Sequence, residues 1–203
     1  PFWRVAVALG RPGGDPATFA LIVAGAAGVP GLAIVFLYTD ADQTAWYDYW
    51  YRLADPRRLG WRGTLIVLLP PAVALAAAGL SMSGDHTPDA PALLRALAAA
   101  PLTLASTFLF LLVFGPLPEE MGWRGYALDP LQAAYGPLTA ALLLGVVHAL
   151  WHLPLFFIEG SFQDKLGFFT PGFWRFMVSI VAMSVIISWA FNLTSRSTLL
   201  AVL

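Results

Sequence analysis

Residues 137–158 read PLTAALLLGVVHALWHLPLFFI and contain no Asp, Glu, Lys or Arg. A helix rises 1.5 Å per residue, so about 20 apolar residues cross the roughly 30 Å hydrocarbon core of a bilayer. This stretch exceeds that length, and it predicts a membrane-spanning helix. Two histidines, His148 and His152, lie inside it, and polar groups at membrane depth are rare and usually functional.

Further uncharged stretches of this kind lie on both sides along the chain. They cover residues 17–38, 63–84, 96–118 and 176–195, and another apolar stretch begins near Ser197. The continuous Ala- and Leu-rich runs predict helices. We therefore expect an all-α, polytopic transmembrane helical bundle with five full spans and the start of a sixth. With no internal repeats, residues 1–203 are interpreted as a single domain.

The composition of the whole chain agrees with a membrane protein. Of 203 residues, 59% are hydrophobic and 11% are charged, against about 25% charged in an ordinary soluble domain. The net charge of −1 lacks the basic footprint of a nucleic-acid-binding protein. The chain has no Cys, which excludes disulfides, thiolate zinc ligands and thiol nucleophiles.

Basic residues suggest how the chain is oriented. The loop between the first two predicted spans holds Arg52, Arg57, Arg58 and Arg62, whereas residues 85–89 hold no cation. Because cytoplasmic loops are enriched in Lys and Arg, the first loop is expected on the cytoplasmic side. Lys165 is the only lysine, a bias typical of GC-rich prokaryotic genomes. We expect a multi-pass protein of a prokaryotic plasma membrane.

Two adjacent carboxylates end the third predicted span, in the sequence Glu119-Glu120-Met-Gly-Trp-Arg124. Neighbours on a helix lie about 100° apart, so both carboxylates cannot face one point. Glu120 and Arg124 are spaced i,i+4 and can form an ion pair along the helix. That leaves Glu119 available for proton transfer. The alternative is a solvated helix end with an ordinary ion pair.

The two histidines of the fourth span are also spaced i,i+4, so both rings lie on one helical face. This is the spacing of paired metal ligands on a helix, although Ala149 stands where zinc-protease helices carry Glu. Glu119, His148 and His152 could together hold a divalent metal such as zinc with an open position. The alternative is a pair of hydrogen-bonded core histidines.

In combination, these motifs resemble the CPBP family, which includes CAAX-type prenyl-protein proteases and the Abi, or bacteriocin-processing, membrane proteases. Glu119-Glu120-x-x-x-Arg124 matches the first family motif, and His148-x-x-x-His152 matches the second, normally Phe or His, three residues, then His. The resemblance is specific over residues 118–158 and looser over about 46–200.

The resemblance implies an intramembrane endopeptidase in which Glu119 is the general base and His152 shares the water. Glu120 and Arg124 would hold the local geometry, and His148 would assist or shape the cavity. A metal-independent mechanism is favoured, so no cofactor is expected, with a zinc-type metal as the alternative. The expected partners are a peptide or membrane-protein substrate and membrane lipid, with no nucleic acid.

The family's third motif is His, three residues, then Asn or Asp, and it would supply oxyanion stabilisation. Trp189-Ala-Phe-Asn192 and residues 197–203 look like the approach to it, but no such His follows. We expect the sequence to be a fragment. The other functions considered are a non-catalytic scaffold or bacteriocin-immunity protein and a cation or proton transporter. Ionisable groups clustered in two adjacent spans favour a single site over a transport path.

Helical geometry adds a test of the joint site. His152 lies roughly 22 Å along a helix that starts at Pro137. Glu119 can meet it only if helical structure continues from Pro118 to about Ala127. We therefore expect such a continuation, a partly buried Arg124, and a Glu119 carboxylate within about 10 Å of the His152 ring, since catalytic groups must reach the same water.

Overall fold

The computed structural model describes residues 28–39, 43–81 and 100–203, and these residues form helices and turns with no strand. The helices are α1 (Gly28–Thr39), α2 (Gln43–Ala54), α3 (Gly60–Ser81), α4 (Pro101–Phe114), α5 (Pro116–Gly122), α6 (Leu128–Tyr135), α7 (Pro137–His152), α8 (Phe162–Leu166), α9 (Pro171–Leu193) and α10 (Thr198–Val202). A π-helical segment, Trp123–Ala127, joins α5 to α6. Short 3-10 turns cover Pro56–Leu59 and Leu153–Phe157. The predicted all-α class is confirmed.

Two helical stretches among the described residues are long and apolar enough to cross a membrane, Pro137–Phe157 and Pro171–Leu193. Their outward faces carry large exposed apolar side chains, including Val146, Leu150 and Val178, as expected for contact with lipid. The predicted spans at residues 17–38, 63–84 and 96–118 lie partly outside the described residues. The count of five spans and the plasma-membrane location stay predictions.

The third predicted span, 96–118, does not continue unbroken to Pro118. Helix α4 ends at Phe114, and α5 begins at Pro116 after Gly115, whose φ of −117° and ψ of −101° are not helical. Proline has no N–H and pushes the residue before it out of the α region. A Cβ at Gly115 would lie 2.7 Å from the Leu111 carbonyl oxygen, so this bend requires glycine.

The expected helical continuation through Glu119 is present, and it is longer than predicted. It starts at Pro116 rather than Pro118, and it runs through the π-helical segment and α6 to Tyr135. Gly136, with φ of +79°, ends it in a conformation that favours glycine. Pro137 then begins α7.

Capping residues explain where the last two helices start. Thr170 Oγ1 accepts a hydrogen bond from the Phe173 N–H, so α9 begins at Pro171, five residues before the predicted bound. Ser197 Oγ accepts one from the Leu200 N–H, and α10 begins at Thr198. Both hydroxyls satisfy backbone donors that a helix leaves unpaired at its first turn.

Helices α7 and α9 form the most extensive helix pair of the described residues. Small residues allow this approach, because a Cβ at Gly145 would lie 2.9 Å from Ser184 Cβ and 3.0 Å from Val181 Cα. Trp123, Leu128, Ala140, Leu144 and Phe191 form the buried cluster beside them. The core therefore lies between this pair and the segment that carries Glu119 to Arg124.

We expect Gly145→Ala to destabilise the protein by about 1–3 kcal/mol, since overpacking forces two helices apart. Thermal unfolding in detergent measures this. Gly31→Ala is the matched control, because a Cβ there meets nothing within 4 Å, and it should be at least as stable as the wild type, since alanine favours a helix over glycine. Equal unfolding temperatures for the two variants would contradict the close α7–α9 contact.

Candidate active site

A buried ion pair fixes the segment that carries the two glutamates. Arg124 Nη1 lies 2.7 Å from Glu120 Oε1, and the exposed fractions of the two residues are 0% and 4%. The predicted i,i+4 pair is confirmed, but Arg124 is fully rather than partly buried. Burial removes both charges from water, and such a pair persists only when further hydrogen bonds satisfy it.

Ser184 on α9 supplies further bonds to the guanidinium, while Arg124 Nε and Glu120 Oε2 are buried without a hydrogen-bond partner among the described residues. Arg124 Nη2 donates to the Ser184 carbonyl oxygen at 3.2 Å and to Ser184 Oγ at 3.0 Å. The Ser184 hydroxyl donates in turn to the Ala141 carbonyl of α7 at 3.1 Å. One guanidinium thus links the π-helical segment to both long helices. Ser184 is one of three serines in this apolar helix, and nothing in the sequence distinguished it as the partner of Arg124.

Glu119 lies about 100° around the helix from Glu120 and meets the histidines of α7. Its Oε2 lies 3.0 Å from His148 Nε2, and the ligand atoms of Glu119, His148 and His152 all lie within 4.8 Å of one another. This is well inside the expected 10 Å limit. The structure therefore brings together the three residues whose spacing pointed to a joint site.

Hydrogen bonds assign the protons of the two rings. His152 Nδ1 lies 3.0 Å from the His148 carbonyl oxygen, which can only accept, so Nδ1 carries the hydrogen and Nε2 of a neutral ring holds a lone pair. A carboxylate oxygen of Glu119 that accepts this bond takes the hydrogen of His148 Nε2 in the same way. With Nδ1 protonated, the Nε2 lone pair of a neutral His152 ring can accept a hydrogen bond from water.

Aromatic side chains hold the imidazoles in place. The Trp123 ring lies 5.1 Å from the His148 ring between centroids, and the edge of Phe176 approaches His152 at 5.5 Å. The two imidazoles are 5.0 Å apart. Offset and edge-on contacts of this kind restrict rotation of the rings, so the histidine positions are set before any substrate binds.

A cavity of about 520 Å³ opens beside the carboxylates, with Glu119, Glu120 and His148 in its wall. The rest of the wall is largely apolar and comes from α3, α9 and α10, through Ile66, Val67, Pro70, Met183, Ile186, Ile187 and residues 200–203. This volume lies within the range of small-ligand pockets. An apolar ligand could therefore bind in this cavity, and the Glu119 carboxylate in its wall could take a proton from a water molecule beside that ligand.

Residues 43–54 also contact the site segment, which the sequence reasoning did not predict. Tyr49 and Arg52 of α2 are buried against the backbone of residues 121–125. The aromatic and basic pattern of this stretch is typical of a membrane interface. Nothing in the pattern indicated that it contacts a segment about 70 residues later in the chain. Asn192 lies apart from the cluster and donates to Gln132 Oε1 at 2.6 Å.

Comparison with known proteins agrees with the site. Residues 100–203 match the family described as type II CAAX prenyl endopeptidase, Rce1-like. A CAAX prenyl protease 2 from Methanococcus maripaludis is 40% identical over 98 residues, which are 47% of this chain and 35% of that relative. The aligned part therefore spans about a third of the relative's length. Glu119, Glu120, Arg124, His148 and His152 all lie within the family match.

We expect Arg124→Met to destabilise the protein by about 3–5 kcal/mol, because it leaves the Glu120 carboxylate buried and unpaired. The double variant Glu120→Leu with Arg124→Met removes both charges and should recover much of the loss. Thermal unfolding in detergent measures both, with the exposed Arg175→Met as control. An Arg124→Met protein as stable as the control would contradict a structural role for the pair.

Proposed function

Because the chain belongs to the Rce1-like family of type II CAAX prenyl endopeptidases, we propose that it is a membrane endopeptidase. It hydrolyses a peptide bond near the membrane with a water activated by Glu119 and His152. The observation that supports this most directly is the grouping of Glu119, His148 and His152 within 4.8 Å, beside a largely apolar cavity.

The two activating groups divide the work on the water. The Glu119 carboxylate takes one water proton as general base, while the lone pair of His152 Nε2 accepts a hydrogen bond from the other. The water oxygen attacks the peptide carbonyl carbon and forms a tetrahedral oxyanion. The C–N bond then breaks, and the leaving nitrogen takes the proton that Glu119 acquired.

The neighbouring residues position this pair. His148 donates from Nε2 to Glu119 at 3.0 Å and so orients the carboxylate towards the cavity. Glu120 and Arg124 anchor the same helix through their buried ion pair. By resemblance to the family, the His and the Asn or Asp of its third motif would stabilise the oxyanion, where preorganised donors have their largest effect.

The substrate we propose is a peptide or membrane-protein tail presented from the lipid. The largely apolar wall of the cavity supports an apolar segment beside the scissile bond. The name of the relative, CAAX prenyl protease 2, makes a farnesylated CAAX peptide the first probe to use. Membrane lipid would then deliver the substrate to the cavity laterally.

We further propose that the reaction needs no metal. Two imidazoles and a carboxylate are also a common zinc ligand set, and the close grouping of the three side chains fits a divalent ion. In the metal-free mechanism, Glu119 supplies the base and His152 the hydrogen-bond acceptor that the water needs, and the Glu119–His148 hydrogen bond orients the carboxylate.

We expect Glu119→Gln to reduce hydrolysis at least about 100-fold, since an amide cannot take the water proton. His152→Ala should cause a similar loss, and His148→Phe a smaller one, because the family motif accepts Phe there. Cleavage of a quenched farnesylated CAAX peptide and a panel of membrane-inserted peptides by the full-length protein measures this. The exposed Glu159→Gln is the control. Absence of any Glu119-dependent cleavage would favour the scaffold alternative.

Chelation distinguishes the metal-free mechanism from a metal-dependent one. We expect dialysis against EDTA, followed by assay in metal-free buffer, to leave the rate within about twofold of its starting value, because the proposed base is a carboxylate. Metal content before and after dialysis is measured by mass spectrometry. The metal-free mechanism would be overturned if activity were lost on dialysis and if added Zn²⁺ restored it in proportion to the zinc bound. Glu119, His148 and His152 would then be assigned as the zinc ligands.

A further inference from the structure

Helix α2 packs directly against the segment that carries the site, although it lies outside the family match of residues 100–203. Tyr49 and Arg52 are its two buried residues, with exposed fractions of 1% and 5%. Tyr49 Oη donates to the Met121 carbonyl at 3.2 Å, and Arg52 Nη2 donates to the Gly125 carbonyl at 2.9 Å. Both accepting carbonyls lie between Glu119 and the end of the π-helical segment.

The Gly125 carbonyl lies in an irregular stretch of backbone. In the π-helical segment the N–H of residue i bonds to the carbonyl of residue i−5, as Leu128 does with Trp123, and α6 then begins in the ordinary α-helical register. Residue 130 is proline and has no N–H to donate to the preceding turn. The Arg52 guanidinium adds a charged donor to this stretch and so stabilises it.

Gly125 also permits the close approach of Tyr49. A Cβ at this position would lie 2.9 Å from Tyr49 Cε2. Burial raises the pKa of the Tyr49 phenol to about 12, so the hydroxyl keeps its hydrogen and remains a donor at physiological pH. Ring and hydroxyl together hold residues 121–125 at a fixed distance from α2.

Acidic residues on two elements balance the charge of Arg52. Arg52 Nε lies 3.0 Å from Asp48 Oδ2, and Nη1 lies 2.6 Å from Asp129 Oδ2. Arg196 forms a second ion pair with Asp129. Arg52 therefore contacts the π-helical segment at Gly125 and the helix that follows it at Asp129, and Asp129 in turn pairs with Arg196 just before α10.

We propose that Arg52, assisted by Tyr49, is a positioning residue for the catalytic segment. It fixes the π-helical turn, and thereby the angle at which Glu119 faces His148 while Glu120 faces the core. This inference rests on the proposed endopeptidase function. It extends the working site to α2, which the family match does not include.

The test compares three arginine variants in the full-length protein, Arg52→Met, Arg52→Lys and the exposed Arg57→Met as matched control. We expect Arg52→Met to lower kcat roughly 10- to 100-fold with little change in KM, since a small misplacement of a catalytic group has an effect of that size. Arg52→Lys keeps one donor and should restore part of kcat. Arg57→Met should match the wild type in both constants.

Unfolding temperatures in detergent accompany the kinetics. If Arg52→Met fails to fold, Tyr49→Phe tests the proposal instead, because it removes one hydroxyl and keeps the ring. We expect Tyr49→Phe to have a lower kcat than the wild type at an unchanged KM. An unchanged kcat in this variant would overturn the proposal. If Glu119→Gln is inactive while Arg52→Met behaves like Arg57→Met, the positioning role alone fails. If Glu119→Gln remains active, the proposed function itself fails.

Discussion

The buried pair of Glu120 and Arg124 is the interaction on which the rest of the structure depends. A guanidinium has five N–H donors and cannot lose its charge in a protein interior, so the surrounding residues must supply hydrogen-bond acceptors. They come from Glu120 on its own helix and from Ser184 on α9, which in turn binds α7. Once these contacts form, the helix can rotate no further, and Glu119 is left on the side that faces the histidines.

Adjacent glutamates therefore have different environments. Both line the cavity, but the Glu120 carboxylate is buried and paired with Arg124, whereas Glu119 is more exposed and hydrogen-bonds to the His148 imidazole. Two carboxylates with different surroundings can take different roles, one structural and one chemical. The rotation of about 100° between neighbouring residues of a helix is enough to separate them.

Much of this arrangement follows from local sequence patterns. The uncharged run at 137–158 predicted α7, the i,i+4 spacings placed His148 with His152 and Glu120 with Arg124, and helix rise alone required helical structure beyond Pro118. Other features depend on contacts distant in sequence. The break at Gly115, the π-helical turn and the docking of Arg52 on Gly125 each need a neighbour's carbonyl or ring to be in place. No periodicity in a single stretch could have indicated them.

The π-helical turn sets the phase between the two ends of its helix. It accommodates an additional residue per turn, so every side chain after Ala127 is rotated relative to an uninterrupted α-helix. Glu119 lies before this turn and Asp129 after it. Straightening this turn into an α-helix with the same number of residues would leave Glu119 in place yet rotate Asp129 away from Arg52 and Arg196. The π-helical geometry of this stretch is thus needed to bring the residues at both of its ends to their partners.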